Sequence, residues 1–285
     1  MGKYVIICPN PYRDIDFKNT LCIYDALQNA GVKCAVYPLF EKASSPVVRN
    51  LDGRVNLVEN IQGADLLISL GGDGTVLHLA RKTMENETPI IGINCGDKGF
   101  LAELDGPHVE LLLEAVNGNY RESNRMMLDV LLYRNGEIVY RDTALNDIVL
   151  KSVYSCIAVK AEIEGRMLCK FNGDGLIVST PTGSTGYSLS AGGPIVEPEA
   201  NAILVTPLAA HLLSSKPQVL SDQRVLEITA DRLRGKPTVV TVDGNDTIDF
   251  LEGDKLVICK SAYKTVIADM QLRPFNERVI DILSR

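Results

Sequence analysis

A glycine-rich segment, Gly-Gly-Asp-Gly-Thr at residues 71–75, has the composition of a phosphate-binding turn that also carries a carboxylate. Glycines allow positive φ and a close approach of a ligand, and the exposed backbone N–H groups of such a turn can bind phosphate. The carboxylate of Asp73 would repel phosphate unless it holds a metal ion or faces a hydroxyl group to be activated. Phosphoryl transfer to a hydroxyl needs both properties. The alternative is a tight Asp-Gly turn in which Thr75 caps a helix. The glycines concerned are Gly71, Gly72 and Gly74.

A second unusual segment, NGDGLIVSTPTGSTGYSLSAGGP, covers residues 172–194. It contains another Gly-Asp-Gly turn, an apolar run and then small hydroxylated residues around one aromatic side chain, Tyr187. Such a loop supplies backbone amides, hydroxyls and a stacking face rather than a core. The alternative is a flexible Ser/Gly linker, against which the two prolines of the segment argue.

A polar pair, Asn146-Asp147, interrupts the apolar segment ALNDIVL. A carboxylate accepts hydrogen bonds from ribose hydroxyls, and an amide both donates to and accepts from a base edge. The pair therefore suits a nucleotide, although a solvated turn before a strand is an equally good interpretation of the pattern.

The first 125 residues show alternating strand and helix patterns that would position the glycine-rich turn. Residues 66–70 form an apolar run typical of a strand buried on both faces, and apolar residues at helical spacing follow Thr75. This arrangement predicts a parallel, doubly wound sheet with the turn at the carboxyl end of a strand and at a helix N-terminus. The other predicted elements are strands at residues 4–8, 33–37 and 89–94, and helices at 17–30 and 107–116.

From residue 126 onward short strand-like runs replace the alternating pattern. Asn135-Gly136 between two of them is a strong hairpin signal. We therefore expect an α/β domain at residues 1–125, completed by a tail at residues 264–285 that packs back on it, and a largely antiparallel β domain at residues 126–263. The predicted strands of the β domain include residues 148–150, 157–163, 175–179, 225–230, 238–242 and 255–260.

Composition limits the class of partner. The chain has 285 residues, 46% of them hydrophobic, and a formal net charge of −7. A negative chain is not expected to bind nucleic acid or an anionic membrane, so any anionic ligand must be held locally by metal, backbone amides or a few cations. Seven scattered cysteines without a Cys-x-x-Cys pair indicate reduced thiols, and no apolar stretch approaches about 18 residues. These features predict a cytoplasmic protein.

The motifs together resemble those of the NAD kinase family, in the same order and over nearly the whole chain. The matching segments are GGDGT, the Asn-Asp pair, GDGLIVSTPTGSTGYSLSAGGP from residue 173, and TPLAAHLLSSKP from residue 206. GGDGT alone is shared with diacylglycerol kinases, sphingosine kinases and 6-phosphofructokinases, so the long second motif distinguishes the families.

The resemblance implies a Rossmann-like, phosphofructokinase-like N-terminal domain and a C-terminal antiparallel β-sandwich that binds NAD. It implies transfer of the γ-phosphoryl group of ATP to the 2′-hydroxyl of the adenosine ribose of NAD, giving NADP, with Mg²⁺ or Mn²⁺ whose protein ligands are unknown. Asp73 would be the catalytic carboxylate that orients or deprotonates the hydroxyl, and the neighbouring glycines would leave room for phosphates.

The resemblance also assigns residues that bind the dinucleotide, some of them supplied across a subunit interface of a homo-oligomer, a dimer or tetramer. Two positions depart from the family pattern, since Gly186 replaces a usual alanine and Asn172 a frequent basic residue. The assigned residues are Gly71, Gly72, Gly74, Thr75, Asn146, Asp147, Asp174, Thr182, Thr185, Gly186, Tyr187 and Ser190.

Two other functions remain open from the sequence. A lipid kinase that shares GGDGT would need an apolar cleft or a membrane-binding surface. A non-catalytic dinucleotide sensor on the same fold would not need Asp73.

Overall fold

The computed structural model describes residues 2–42, 44–51, 53–96, 99–211, 215–231, 233, 235–245 and 247–284. Part of the TPLAAHLLSSKP motif, residues 212–214, therefore lies outside the described residues. The strands are β1 (Tyr4–Pro9), β2 (Lys33–Val36), β3 (Leu66–Gly71), β4 (Ile90–Asn94), β5 (Leu104–Asp105), β6 (Arg121–Arg134), β7 (Glu137–Ala144), β8 (Asp147–Ser152), β9 (Ile157–Ile163), β10 (Arg166–Gly173), β11 (Gly175–Ser179), β12 (Ala202–Leu208), β13 (Gln218–Ser221), β14 (Leu226–Asp231), β15 (Thr238–Val242), β16 (Ile248–Asp249) and β17 (Lys255–Asp269). The α-helices are α1 (Lys18–Asn29), α2 (Asp73–Thr83), α3 (Val109–Asn117), α4 (Tyr187–Ser190) and α5 (Phe275–Leu283), and 3₁₀-helices cover Ile15–Phe17, Pro46–Leu51 and Thr182–Thr185.

The chain divides into two compact units. The first comprises Met1–Asn124 and Thr265–Arg285, and the second comprises Arg125–Lys264. The first unit thus takes in α5 and the end of β17 as well as the elements from β1 to α3.

The first unit contains a parallel sheet in the order β4-β3-β1-β2, so β3 lies between β1 and β4. All six residues of β3 are buried, as expected for a strand covered on both faces. Apolar side chains of α1 and α3, among them Ile23, Leu27 and Leu112, join strand residues in one core. This packing fixes the carboxyl ends of β1, β3 and β4 side by side.

The second unit is antiparallel. One sheet has the strand order β13-β12-β11-β8-β15-β16, and β10, β9, β14 and β17 are neighbours in the other. The β6–β7 hairpin turns at Asn135 and Gly136, both with positive φ, as the sequence predicts. Buried residues of both sheets, such as Leu150 of β8 and Val159 of β9, share one hydrophobic cluster. The predicted fold class, an α/β unit plus an antiparallel β-sandwich, is confirmed.

Two elements differ from the sequence prediction. The strand predicted at residues 255–260 is β17, which continues to Asp269. The sequence did not predict the longer strand because the hydroxyl residues Ser261 and Thr265 occupy buried positions, so the pattern of apolar residues is interrupted there. The hydroxyl-rich segment predicted as a loop forms the 3₁₀-helix Thr182–Thr185 and α4, with Thr182, Ser184 and Ser188 buried.

The seven cysteines are free thiols, as expected, although their burial varies from the buried Cys8 to the exposed Cys22. Within the part of the chain that the structure describes, no helix has both the length and the apolar character needed to cross a membrane.

Candidate functional site

The glycine-rich segment forms an abrupt passage from strand to helix. β3 ends at Gly71, α2 begins at Asp73, and Gly72 between them is the N-cap with extended φ and ψ of −151° and −168°. The Gly72 N–H donates to Thr75 Oγ1 at 3.3 Å, so Thr75 stabilises the turn as the alternative interpretation expected. A Cβ on Gly71 would lie 2.1 Å from Thr75 Oγ1, so the Thr75 side chain leaves no room for a larger residue at position 71.

A cleft with a volume of about 460 Å³ opens above this turn. Its lining comes from residues that follow three adjacent parallel strands: Asn10 and Arg13 after β1, the turn itself after β3, and Gly96 after β4. Ligands of open α/β sheets bind in this position, outside the carboxyl ends of the strands. Asn10 and Arg13 are not among the site residues predicted from the sequence, although they lie directly after the first predicted strand, which was the available signal.

The carboxylate of Asp73 is held by three consecutive backbone amides. Phe100 N–H donates to Oδ2 at 2.7 Å, while Leu101 and Ala102 N–H donate to Oδ1 at 2.9 and 3.1 Å. Gly99 is required beside them, because a Cβ there would lie 2.0 Å from Asp73 Oδ1. Each carboxylate oxygen has two acceptor sites, so the group is fixed in orientation and can still accept a hydrogen bond from a ligand.

A second carboxylate is held in the same way in the other unit. Asp243 accepts backbone N–H bonds from Leu145 at 2.8 Å, from Asn146 at 2.7 Å and from Asp147 at 3.0 Å. Its own N–H donates to the Asp147 carbonyl at 2.9 Å. Asp243 therefore fixes the backbone of the Asn146-Asp147 pair, a contact that its sequence context, the hairpin-turn pattern Asp-Gly-Asn, does not predict.

The polar pair itself is largely enclosed. Burial, with a smaller contribution from the nearby charge of Asp243, raises the pKa of Asp147 to about 7. The side-chain carbonyl of Asn146 is buried and accepts no hydrogen bond from the described residues, and neither does Thr182 Oγ1. Buried polar atoms without partners are uncommon, so these two are candidates for ligand contacts.

The hydroxyl-rich segment packs directly against the pair. A Cβ on Gly183 would lie 2.1 Å from the Asn146 carbonyl oxygen, and one on Gly186 would lie 3.5 Å from Asn146 Nδ2 and 3.8 Å from Asp147 Oδ2. Thr185 Oγ1 donates to the Thr182 carbonyl at 3.2 Å. The structure thus brings residues 182–186 together with Asn146 and Asp147.

The remaining predicted binding residues are more exposed. Tyr187 is 40% exposed and begins α4, which ends at the exposed Ser190. Asp174 is also exposed and is not brought to the pair. β11 pairs with β8 so that Ser179 faces Asp147 and Gly175 faces Lys151, which puts Asp174 more than about 13 Å along the strand from Asp147.

The described residues contain no cluster of three His, Cys, Asp or Glu side chains suited to a metal ion. Among the described residues that line the cleft, Asp73 is the only one that carries a carboxylate. Mg²⁺ usually keeps several waters and is bound in part by substrate phosphates, so a cleft with few protein donors fits a metal that arrives with a nucleotide.

Both units match models of one family. Residues 25–120 match the ATP-NAD kinase N-terminal domain, and residues 145–270 match the ATP-NAD kinase C-terminal domain. The chain belongs to the NAD kinase family. The predicted resemblance is therefore confirmed, and with it an ATP-dependent kinase as the class of enzyme.

Individual members of the family are similar to this chain over most of its length. The NAD kinase of Ruminiclostridium cellulolyticum is 36% identical over 262 residues, which are 91% of this chain and 90% of that protein. An NAD kinase from Archaeoglobus fulgidus, solved in complex with ATP, has 27% identity and a TM-score of 0.74, covering 99% of both chains. Yeast NADH kinase, solved with NADH, shares the fold with a TM-score of 0.85 at 24% identity, covering 99% of this chain and 87% of that one. These comparisons give no support to the lipid-kinase and sensor alternatives.

Proposed function

We propose that this chain transfers the γ-phosphoryl group of ATP to the 2′-hydroxyl of the adenosine ribose of NAD, giving NADP and ADP. The observation that carries the proposal is the carboxylate of Asp73, held by three backbone amides beside a glycine-rich turn at the edge of a parallel sheet. Membership of the NAD kinase family supports the identity of the two nucleotides.

In the proposed reaction Asp73 orients the attacking hydroxyl and accepts its proton as the O–P bond forms and the bond from the γ-phosphorus to the ADP oxygen breaks. The three amides keep the carboxylate aimed while both substrates bind. The backbone of Gly71, Gly72 and Gly74 leaves room for phosphate groups. Such a transfer depends mainly on positioning and charge neutralisation, to which the base adds.

A divalent ion, Mg²⁺ or Mn²⁺, would be held by ATP phosphate oxygens, and when bound it would neutralise charge on the transferred phosphoryl group. The one acceptor position that the amides leave on Asp73 is given to the attacking hydroxyl, so the sequence and the described contacts assign no protein ligand to the ion.

The proposed NAD site uses the Asn146-Asp147 pair and the segment packed against it. The free acceptor atoms of Asn146 and Thr182 would bind the nucleotide, and Tyr187 would supply a stacking face. The other proposed contacts are Asp147, Thr185, Gly186 and Ser190.

Asp174 is distant from the pair within one chain, which supports a contact to the dinucleotide of a second copy. We therefore propose a homo-oligomer, a dimer or tetramer. Cytoplasmic location is also part of the proposal, and the free cysteines support it.

The test is NADP formation from NAD, ATP and Mg²⁺ by the purified chain, with NADH, diacylglycerol and sphingosine offered as competing acceptors. We expect the Asp73→Asn variant to lose about 10²-fold or more of kcat/KM, because the carboxylate is the proposed base. Asp25→Asn, an exposed aspartate on α1, is the matched control and should retain full activity. Binding of NAD without NADP formation from any donor, or phosphorylation of a lipid instead, would refute the proposal.

A further inference from the structure

Arg13 follows β1, yet its guanidinium reaches the loop that follows β4. Arg13 Nη1 lies 3.8 Å from the position of a Cβ on Gly96. β3 separates β1 from β4 in the sheet, and adjacent strands are about 4.8 Å apart. Both loops lie at the carboxyl edge of the sheet, on either side of the glycine-rich turn and Asp73 that follow β3. Arg13 accordingly lines the same cleft as Asp73.

The backbone that carries Arg13 is fastened to the turn on one side. Asn10 N–H donates to the Leu70 carbonyl at 2.8 Å, and Asn10 Nδ2 donates to Thr75 Oγ1 at 3.3 Å. The Arg13 N–H in turn donates to the Asn10 carbonyl at 3.0 Å. The position of Arg13 is therefore tied to β3 and to the first turn of α2.

The other side is fastened by the next residue, Asp14, which is 1% exposed. Its carboxylate accepts hydrogen bonds from Thr20 N–H at 2.9 Å, from Thr20 Oγ1 at 2.6 Å and from Asn19 N–H at 3.0 Å. Arg13 itself is exposed and forms no ion pair with the described residues. A fixed backbone thus presents a guanidinium whose donors are available.

A cation in the cleft would offset the negative charge around a bound phosphate. The chain carries a net charge of −7, and one of its carboxylates, Asp73, lies in the cleft. Among the described residues that line the cleft, Arg13 is the only one with a cationic side chain. A guanidinium is planar, keeps its charge and binds phosphate oxygens in pairs. We propose that Arg13 binds a phosphate group of a nucleotide in the cleft that contains Asp73.

This inference rests on the proposed function and assigns it a further binding residue. The triphosphate of the donor and the pyrophosphate of the acceptor offer the same chemistry. Arg13→Ala and Arg13→Lys are compared with the wild type in NADP formation, with ATP and NAD varied in turn. Binding of ATP and of NAD is measured separately by calorimetry, without turnover. Lys18→Ala, an exposed cation at the start of α1 outside the cleft, is the matched control.

We expect Arg13→Ala to weaken binding of one nucleotide and to raise its KM by about 10- to 100-fold, with Arg13→Lys intermediate because a lysine keeps the charge without the paired donors. The control should stay within about twofold of the wild type. An effect on ATP alone identifies the donor triphosphate, and an effect on NAD alone identifies the acceptor pyrophosphate. Such selectivity distinguishes ligand contact from general damage to the fold.

The inference is wrong if both Arg13 variants match Lys18→Ala in binding and kinetics, or if they weaken both nucleotides equally together with a lowered unfolding temperature. A wild type that makes NADP in that case leaves the proposed function standing. If the wild type makes no NADP, the proposed function fails, and the calorimetric comparison still decides whether Arg13 binds nucleotide phosphate.

Discussion

We expect that Gly183→Ala disrupts the proposed NAD site, because the backbone of Gly183 packs closely against the backbone of Asn146. A Cβ on Gly183 would lie 2.1 Å from the Asn146 carbonyl oxygen, and 2.6 and 2.8 Å from the carbonyl carbon and Cα of the same residue. Carbon and oxygen in contact are normally at least about 3.3 Å apart. The two backbone segments must therefore separate by more than about 1 Å.

The cost follows from what that separation breaks. Forcing a methyl group into a packed region costs about 1–3 kcal/mol. The displacement also strains two hydrogen bonds, from Thr180 N–H to the Asn146 carbonyl at 2.9 Å and from Gly183 N–H to Thr180 Oγ1 at 3.1 Å, each of which contributes about 0.5–1.5 kcal/mol. We expect a loss of about 2–6 kcal/mol in the free energy of unfolding, and a raised KM for NAD in the protein that remains folded.

Gly186→Ala is the matched control from the same segment. Its Cβ would lie 3.3 Å from the Gly183 carbonyl oxygen, and its φ of −94° lies outside the left-handed region that favours glycine. A shift of a few tenths of an ångström relieves this contact, so we expect a change of less than about 1 kcal/mol. Urea unfolding followed by circular dichroism measures both variants. Equal unfolding midpoints for Gly183→Ala and the wild type would refute the argument from close approach.

Three further predictions follow from the fixed carboxylates. Gly99→Ala should lower kcat at least about 10-fold in the NADP assay, because its Cβ at 2.0 Å displaces Asp73 from amide bonds that contribute about 1.5–3 kcal/mol each; an unchanged kcat would contradict this. Asp147→Asn should gain stability relative to the wild type between about pH 4 and pH 7 in thermal unfolding, with no further gain above that range. Burial and the charge of Asp243 raise the pKa of Asp147 to about 7 in the folded state, against about 3.9 in the unfolded state. The wild type therefore loses stability as pH rises between these two values, and a stability difference between variant and wild type that does not change with pH would contradict this prediction. Asp243→Ala should cost about 2–4 kcal/mol in urea unfolding by removing the acceptor of three amides, with Asp243→Asn less damaging; equal loss in both would show that hydrogen bonding is not the cause.

The sequence alone determined the features that depend on neighbouring residues. A buried apolar run followed at once by glycines and a helical pattern fixes the turn at residues 71–75, since no other local structure satisfies all three signals. Asn135-Gly136 fixes its hairpin because both residues adopt positive φ readily. The order of such elements was enough for the fold class, and the motifs at residues 71–75, 146–147 and 173–194 carried the resemblance to the family. The domain boundaries and the roles of the site residues stay predictions.

Only the tertiary structure decided which loops meet. Asp73 is bound by amides 27 to 29 residues away, and Asp243 binds amides 96 to 98 residues away. Arg13 enters the cleft because β1 and β4 flank β3. These contacts depend on the order and register of strands, which are set by long-range packing of the sheet. Local hydrophobic patterns specify that a strand exists and leave its neighbours open, so neither the place of Arg13 after a strand nor the turn sequence at Asp243 showed which residues these side chains contact.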